Sequence, residues 1–271
     1  MIKQAEGNRP ISRMSGAKNT FFVVNSFDPQ WSSEFKNMAD SDKREMAKHL
    51  CQSFFGFYTD GILFIKPEMN FDFSWDFYNS DGSTAEMCGN AARCAALFFY
   101  SRVEVKKNLK FLTSAGTIVA EVLSNQLVRI QMTEILSTRE QTVSGHKGIF
   151  VNTGVPHFVL EMSPSRDLAK ALRKVSDFGA AGANITFVEQ AKEAHIKAVS
   201  FERGVEDFTE ACGTGAVAAA VYLQKKLGKQ KFVQVEMPGG NLQVENLIEN
   251  QRPFLTGQAQ LEFDLIHWEK K

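Results

Sequence analysis

Two short segments of the sequence place a cysteine, followed directly by a glycine, at the predicted start of a helix. The first, residues 86–94, contains Cys88, and its helix continues through residues 94–100. The second, residues 210–216, contains Cys212, and its helix continues through residues 217–223. At a helix N-terminus the unpaired backbone N–H groups and the macrodipole favour a thiolate, and the same groups bind carboxylates. These residue types therefore predict a site that holds a small carboxylate and moves a proton with a thiol.

The two segments follow one pattern. Gly116 stands 28 residues after Cys88, and Gly240 stands 28 residues after Cys212, each between strand-like runs. A polar residue also stands nine residues before each cysteine, next to a turn that contains glycine. Matched offsets on both sides of the cysteines predict an internal repeat with a period near half of the chain.

The repeat predicts two half-domains that each contribute one thiol, and the 271 residues are enough for two domains. The boundary is predicted in the polar turn at residues 124–126. The N-terminal half-domain then covers residues 1–125, with a C-terminal strand at about 257–271 returning to it. The C-terminal half-domain covers residues 126–256.

Hydrophobic periodicity and turn residues predict the elements that position these segments. Residues 71–78 alternate with period two, which is typical of a half-buried strand. Asn19 is predicted in a loop at a strand mouth, and His157 at the exit of a loop that contains glycine and proline. The other predictions are a polar lead at 1–9, helices from 41 to an end marked by Phe54, Phe55 and Phe57 and at 167–175, and strands near Ile11 and at 21–24, 61–65, 110–112, 117–123, 127–132, 149–151, 158–160, 184–188, 195–201 and 254–268.

The composition gives no strong electrostatic preference. The 31 basic and 31 acidic residues balance, and 44% of the residues are hydrophobic. This balance argues against a nucleic-acid or membrane surface, and no apolar run is long enough for a signal peptide or a membrane span. We expect a cytoplasmic protein whose partner is a small-molecule amino acid, with a homodimer as an allowed assembly.

The four cysteines are predicted to be free thiols, because no export signal accompanies them. Cys51 lies on the apolar side of its predicted helix and is interpreted as packing. Cys88 and Cys94 fall on different helix faces, and no spacing typical of metal ligands is present. No lysine context indicates pyridoxal phosphate, so neither a metal nor a cofactor is expected.

Two helix termini that face each other could hold an amino acid between two thiols. One thiolate would remove the α-proton, and the opposite thiol would donate a proton to the other face and so invert the centre. Backbone N–H groups would stabilise the charge that develops on the carboxylate. The alternative interpretation is that both cysteines are small buried hydrophobic residues.

These segments resemble the motifs of the diaminopimelate epimerase family. The resemblance runs from about Ile11 to the C-terminus, and its specific parts are residues 79–94 and residues 201–215. It implies an α/β (α+β) fold of two pseudo-symmetric half-domains. Each half-domain would be a curled, mostly antiparallel mixed sheet around a central helix, with the active site in the cleft between them. It also implies a cofactor-independent isomerase of lysine and peptidoglycan precursor biosynthesis.

The resemblance also implies roles for individual residues. Cys88 and Cys212 would be the acid/base pair, with His157 and Glu202 near the reacting centre. A guanidinium can grip a carboxylate with two parallel hydrogen bonds, which independently favours an arginine in the site. The residues implied to bind the substrate are Asn19, Asn79, Asn184 and Arg203 through side chains, and Gly89, Asn90, Gly213 and Thr214 through the backbone.

The sequence departs from the family pattern at four places. Ala91 replaces a glycine, Thr214 replaces a common serine, and one extra residue lies between Gly204 and Cys212. Val155 stands where the family usually has an asparagine that hydrogen-bonds the distal end of the substrate.

Two alternatives therefore stay open. A related cofactor-independent racemase could act on a different side chain. A non-catalytic protein could use the two thiols as a redox switch or could bind an amino acid.

Overall fold

The computed structural model describes residues 10–35, 38–53, 58–84 and 87–266. The chain divides into two compact units, Met1–Val128 with Ala259–Lys271, and Arg129–Gln258. The sequence suggests bounds of 1–125 with 257–271, and 126–256. The predicted polar lead at 1–9, the helix end at Phe54, Phe55 and Phe57, Glu86 of the first cysteine segment, and Trp268 of the closing strands lie outside the described residues.

The elements follow in chain order. Up to the boundary they are β1 Pro10–Gly16, β2 Asn19–Asn25, α1 Pro29–Phe35, α2 Asp40–Ser53, β3 Gly61–Lys66, β4 Phe73–Asn79, α3 Gly89–Arg102, β5 Asn108–Thr113 and β6 Gly116–Ser124. Then come β7 Leu127–Gln131, β8 Ser137–Val143, β9 His146–Asn152, β10 Pro156–Glu161, α4 Arg166–Leu172, a 3-10 turn Ser176–Phe178, β11 Asn184–Lys192, β12 His195–Glu202 and β13 Asp207–Phe208. The last are α5 Gly213–Leu227, β14 Phe232–Met237, β15 Gly240–Glu245, β16 Phe254–Gln258 and β17 Gln260–Ile266.

The strand pairing repeats between the units. In the first unit β1–β2 are antiparallel, β2–β3 parallel, β3–β4 antiparallel, β4–β5 parallel and β5–β6 antiparallel. In the second unit β9–β10, β10–β11, β11–β12, β12–β14 and β14–β15 pair in the same alternation. Helices α3 and α5 occupy the same position in the two series. The predicted internal repeat is therefore confirmed.

The two glycines that revealed the repeat lie at equivalent hairpins. Gly116 begins β6 with a φ of 103°, and Gly240 begins β15 with a φ of 141°. Side chains other than hydrogen rarely allow these backbone angles, so glycine is the residue that these two turns require.

The helices α3 and α5 are buried around their whole circumference. Residues 89–99 of α3 are all buried, as are most residues of α5. Both helices are rich in alanine on the enclosed turns, and small residues let the surrounding strands approach closely. At Gly16 of β1, for example, an added Cβ would lie 2.8 Å from the carbonyl oxygen of Asn90. A helix buried on all sides becomes the core of its unit.

The prediction that β4 is half-buried is wrong. Its sequence alternates, but both faces are covered. Phe73 on one face stacks on Phe99 of α3 with ring centroids 5.0 Å apart. Tyr78 on the other face belongs to a buried cluster with Met46 and Leu50 of α2. The polar residue Asp76 is accommodated because lysine ammonium groups neutralise it.

Five further elements differ from the predictions. Helix α1, strands β8 and β13 and the 3-10 turn Ser176–Phe178 were not predicted. Helix α4 ends at Leu172 rather than at 175, and its first turn is capped by the Ser165 hydroxyl, which accepts from the N–H of Leu168 at 3.3 Å. No helix among the described residues is long and apolar enough to cross a membrane.

The aromatic stack against α3 gives a stability prediction. Phe99 is 2% exposed and contacts Phe73, which itself stacks on Phe111 with centroids 4.4 Å apart. Phe99→Ala should lower the free energy of unfolding by about 3–5 kcal/mol, because it removes buried area and leaves a cavity. The matched control is Phe232→Ala on β14, where the side chain is 36% exposed.

Urea unfolding of both variants measures the difference. The control should lose much less stability than Phe99→Ala. Equal losses would contradict the packing of α3 against this stack.

Candidate active site

Cys88 is the N-cap residue of α3, as the sequence predicts. Its backbone is extended, with φ −139° and ψ 124°, and the helix begins at Gly89. Its side chain is half-buried. The first backbone N–H groups of α3 therefore lie directly beside this thiol, where they can receive a carboxylate.

A buried guanidinium lies behind this helix start. Arg93 is 0% exposed, and its Nη2 donates to Asn90 Oδ1 at 2.7 Å and its Nη1 to the carbonyl of Gly89 at 3.4 Å. Burial lowers the pKa of Arg93, but an arginine side chain stays protonated in proteins. Sequence reasoning assigned no role to this residue.

Two of the predicted asparagines of the first unit differ in their surroundings. Asn19 is the first residue of β2, paired with Gly16, and not a loop residue. Its Oδ1 accepts a hydrogen bond from Asn90 Nδ2. Asn79 ends β4, and its Nδ2 donates to Ser83 Oγ at 2.9 Å within the following turn. The structure therefore brings Asn19 to the start of α3, whereas the described side-chain hydrogen bond of Asn79 stays in its own turn.

Cys212 is the N-cap residue of α5 and repeats the position of Cys88. Its Sγ accepts from the N–H of Gly215 at 3.4 Å, and the residue is 5% exposed. Burial and the charge of Glu202 raise the pKa of Cys212 well above its usual value. The prediction that the helix terminus favours a thiolate is wrong for Cys212, because desolvation outweighs the helix N–H groups. This sulfur is held as a thiol.

Glu202 ends β12 and faces Cys212. The hydroxyl of Thr209 donates to Glu202 Oε1 at 2.5 Å. Burial raises the pKa of Glu202, and hydrogen bonds from Thr209 and Cys212 oppose that rise. A buried carboxyl with a raised pKa next to a thiol is suited to exchange a proton with it.

His157 is predicted where a loop exits into a strand, and the structure places it just past that exit, as the second residue of β10, where it pairs with Val151 and Asn184. It is 0% exposed. Burial and the charge of Arg203 lower the pKa of His157 to about 3. The imidazole is therefore neutral at neutral pH.

The surrounding hydrogen bonds fix the tautomer of His157. Asn184 Oδ1 accepts from the backbone N–H of Arg203 at 2.9 Å, so its Nδ2 is the group 3.5 Å from His157 Nε2. An amide nitrogen can only donate, so Nε2 carries the lone pair and Nδ1 carries the proton. Nδ1 then donates to the Thr186 hydroxyl at 2.9 Å, and the Thr214 hydroxyl donates to Nε2 at 2.9 Å.

This tautomer also affects the thiol. The Thr214 oxygen lies 3.4 Å from Cys212 Sγ. With its proton directed at His157, the Thr214 hydroxyl presents a lone pair to the sulfur. His157 therefore sets the orientation of the hydroxyl that lies beside the Cys212 sulfur.

Sequence reasoning missed the support for this network. Thr186 and Ser200 are paired across β11 and β12, both are fully buried, and their hydroxyl oxygens are 3.0 Å apart. At Gly215 of α5 an added Cβ would lie 2.1 Å from Ser200 Oγ. The available signal was a hydroxyl residue in the middle of each apolar strand, since such residues need a partner when buried.

The second unit thus assembles Cys212, Thr214, His157, Asn184 and Glu202, with Gly213 as the first residue of α5. A separate cavity of about 460 Å³ is lined by β8, β9 and the end of α5 and by none of these residues. No cluster of three potential metal ligands occurs among the described residues.

Solved structures with the same fold define the structural class. A phenazine biosynthesis protein of the PhzF family from Enterococcus faecalis matches with a TM-score of 0.70 and 15% identity, covering 97% of this chain and 100% of that chain. A hydroxyproline epimerase from Agrobacterium vitis matches with a TM-score of 0.63 and 13% identity, covering 96% of this chain and 92% of that chain. The chain thus has the fold of two pseudo-symmetric domains found in these proteins.

Sequence comparison narrows the class to one family. The model of the family described as "Diaminopimelate epimerase" matches residues 11–136 and 149–262. The diaminopimelate epimerase of Aquifex aeolicus is 39% identical over 267 residues, 93% of this chain and 95% of the relative. The diaminopimelate epimerase of Hydrogenobaculum is 34% identical over 270 residues, which cover 94% of this chain and 96% of the relative. The chain belongs to the diaminopimelate epimerase family and is an isomerase.

The neutral His157 predicts a pH dependence of stability. Its pKa is about 3 in the folded chain and near 6.5 when unfolded. As the pH falls below 6.5, His157 therefore becomes protonated in the unfolded chain but stays neutral in the folded chain. This residue should reduce stability by up to about 1.4 kcal/mol per pH unit between these values. His157→Gln should remove that slope.

Urea unfolding of the wild type and of His157→Gln, each at pH 7 and pH 5, measures how the free energy of unfolding changes with pH. The wild type should lose more stability between the two pH values than the variant. An equal loss of unfolding free energy in the wild type and the variant would mean that His157 is not held neutral.

Proposed function

We propose that this chain is a diaminopimelate epimerase that converts LL-diaminopimelate to meso-diaminopimelate without a cofactor, in lysine and peptidoglycan precursor biosynthesis. One observation carries the proposal. In a member of this family, two cysteines cap the N-termini of two buried helices at equivalent places in an internal repeat. If the cysteines served only as small buried hydrophobic residues, nothing would explain why both stand at the N-terminus of a helix.

The protonation of the second unit supports a two-base reaction. Cys212 is held as a thiol by burial and by Glu202. It can therefore deliver a proton to a carbanion, while Cys88 as thiolate removes the α-proton from the other face. After one turnover Cys88 carries a proton and Cys212 has lost one, so the enzyme is ready for the reverse direction.

Glu202 and His157 have different parts in this proposal. Glu202 has a raised pKa and hydrogen-bonds Cys212, so it is suited to take the proton when Cys212 must act as the base. His157 has too low a pKa to store a proton. Its Nε2 instead accepts from Thr214 and holds that hydroxyl beside the sulfur.

The carboxylate is proposed to bind at the helix starts. Backbone N–H groups of Gly89 and Asn90, and of Gly213 and Thr214, would hold the charge that develops as the α-proton leaves. Loss of one such donor typically costs roughly 3–4 kcal/mol of activation free energy. Asn19, Asn79, Asn184 and Arg203 are proposed to bind the remaining polar groups. The cytoplasmic location and the homodimer stay predictions.

Turnover in deuterium oxide tests the reaction. At early times deuterium should appear in the inverted product, while recovered substrate keeps its proton. The thiol that delivers the proton has already exchanged with solvent and is not the group that removed the substrate proton. Deuterium entering substrate and product at equal rates would indicate a single exchanging base.

The cysteine variants are the controls for this experiment. Cys88→Ala and Cys212→Ala should each abolish inversion. Cys51→Ala should retain it, because Cys51 is a residue of α2 that packs in a buried cluster, and burial raises its pKa to about 11. Inversion by either of the first two variants would refute the thiol pair, and would leave a redox or amino-acid-binding role to explain the cysteines.

Val155 favours a second candidate, a related racemase with a less polar substrate. Its half-buried side chain precedes β10 and can neither donate nor accept a hydrogen bond. If the substrate is diaminopimelate, Val155→Asn should lower KM by about tenfold with little change in kcat. The distal end would be bound equally in ground and transition states.

The same change at Val119, 41% exposed on β6, is the control and should alter neither constant. Both constants are measured for diaminopimelate and for a panel of monoamino acids. Efficient inversion of a monoamino acid by the wild type, lost in Val155→Asn, would instead support the second candidate.

A further inference from the structure

The reaction proposed above leaves one buried charge without a part. Arg93 is fully buried in the first turns of α3, and its guanidinium turns back toward the helix start. Burying an ion is expensive even when it is hydrogen-bonded, and an apolar residue of similar volume often stabilises a protein as well or better. The contacts of Arg93 therefore invite an explanation other than stability.

The chemistry of those contacts fixes the orientation of two amides. A guanidinium can only donate, so Asn90 must present its Oδ1 to Arg93, at 2.7 Å. Asn90 then presents its Nδ2 to the other side. Because an amide nitrogen can only donate, Asn19 must receive it with Oδ1.

Arg93, Asn90 and Asn19 thus form a hydrogen-bonded series, and Asn19, its last member, is the one that can reach a ligand. Asn19 is half-buried at the start of β2, whereas Asn90 and Arg93 are buried. Once Oδ1 of Asn19 is engaged, its Nδ2 is the group that faces away from Asn90. Two N–H donors of one amide are thereby presented beside the start of α3.

We propose that Arg93 is a positioning residue that acts through Asn90 to make Asn19 a hydrogen-bond donor, and so selects a carboxylate oxygen of the substrate. This role rests on the proposed function. It also explains the residue type. A neutral amide at position 93 could turn over and reverse the whole series, whereas a guanidinium has no acceptor to present.

The substitution Asn90→Asp tests the series without removing the buried charge. The new carboxylate still accepts from Arg93, but it cannot donate to Asn19. Asn19 should then turn its NH2 group toward the new carboxylate and present its oxygen to the substrate. KM for diaminopimelate should rise by about tenfold or more, because a favourable contact becomes repulsive.

A double-mutant comparison separates this effect from a general disturbance of α3. Asn19→Ala alone should raise KM. Adding Asn90→Asp or Arg93→Met to Asn19→Ala should raise it no further, because the residue through which they act is gone. Effects on KM that add fully, or an unchanged KM in Asn90→Asp, would overturn the proposal. If Arg93→Met does not fold, KM for Asn90→Asp, alone and combined with Asn19→Ala, still tests the proposal.

A second readout needs no turnover. In nuclear magnetic resonance spectra of the free protein, the side-chain amide protons of Asn19, assigned by their loss in Asn19→Ala, should exchange rapidly with water. In Asn90→Asp they should become protected, because they now donate to the carboxylate. Protection already present in the wild type would refute the orientation, whether or not the chain epimerises diaminopimelate. A chain that shows the predicted exchange but no inversion would fail only the proposed function.

Discussion

A helix that is buried along its length can meet a ligand only at its ends, and this constraint organises each unit. α3 and α5 are enclosed by curled sheets, and their alanine-rich turns allow the strands to come close. Their last turns carry the basic residues Arg102, Lys225 and Lys226, which suit the negative end of the helix. The N-terminal end is left for chemistry, and there each helix has a cysteine cap.

The same burial decides protonation. A helix terminus stabilises a nearby charge by about 0.3–1 kcal/mol, up to about 2, whereas full burial can shift a pKa by several units. This difference explains why Cys212 is a thiol despite its helix cap, and why His157 is neutral. In both units an amide is oriented by a group that can only donate. For Asn184 that group is a backbone N–H, and for Asn90 it is a guanidinium.

Local patterns predicted the repeat, the two cysteine caps and most strands, because spacing and periodicity are properties of the sequence itself. Properties that depend on neighbours distant in sequence escaped prediction. The alternation of β4 gave no sign that α2 would cover its polar face. The position of His157 inside β10 depends on pairing with Asn184, and the buried Thr186 and Arg93 acquire meaning only from the side chains they contact. The pKa of Cys212 likewise reflects tertiary burial.

The pairing of β1 with β17 has a consequence for synthesis. The Ser12 hydroxyl donates to Asp264 at 2.6 Å across this pair, so the first unit is built from segments 252 residues apart. The second unit is continuous, and all of it leaves the ribosome before β17 does. The half that is translated first therefore completes its sheet last, and until then β1 has an uncovered edge, which other chains can pair with and which a chaperone would have reason to protect.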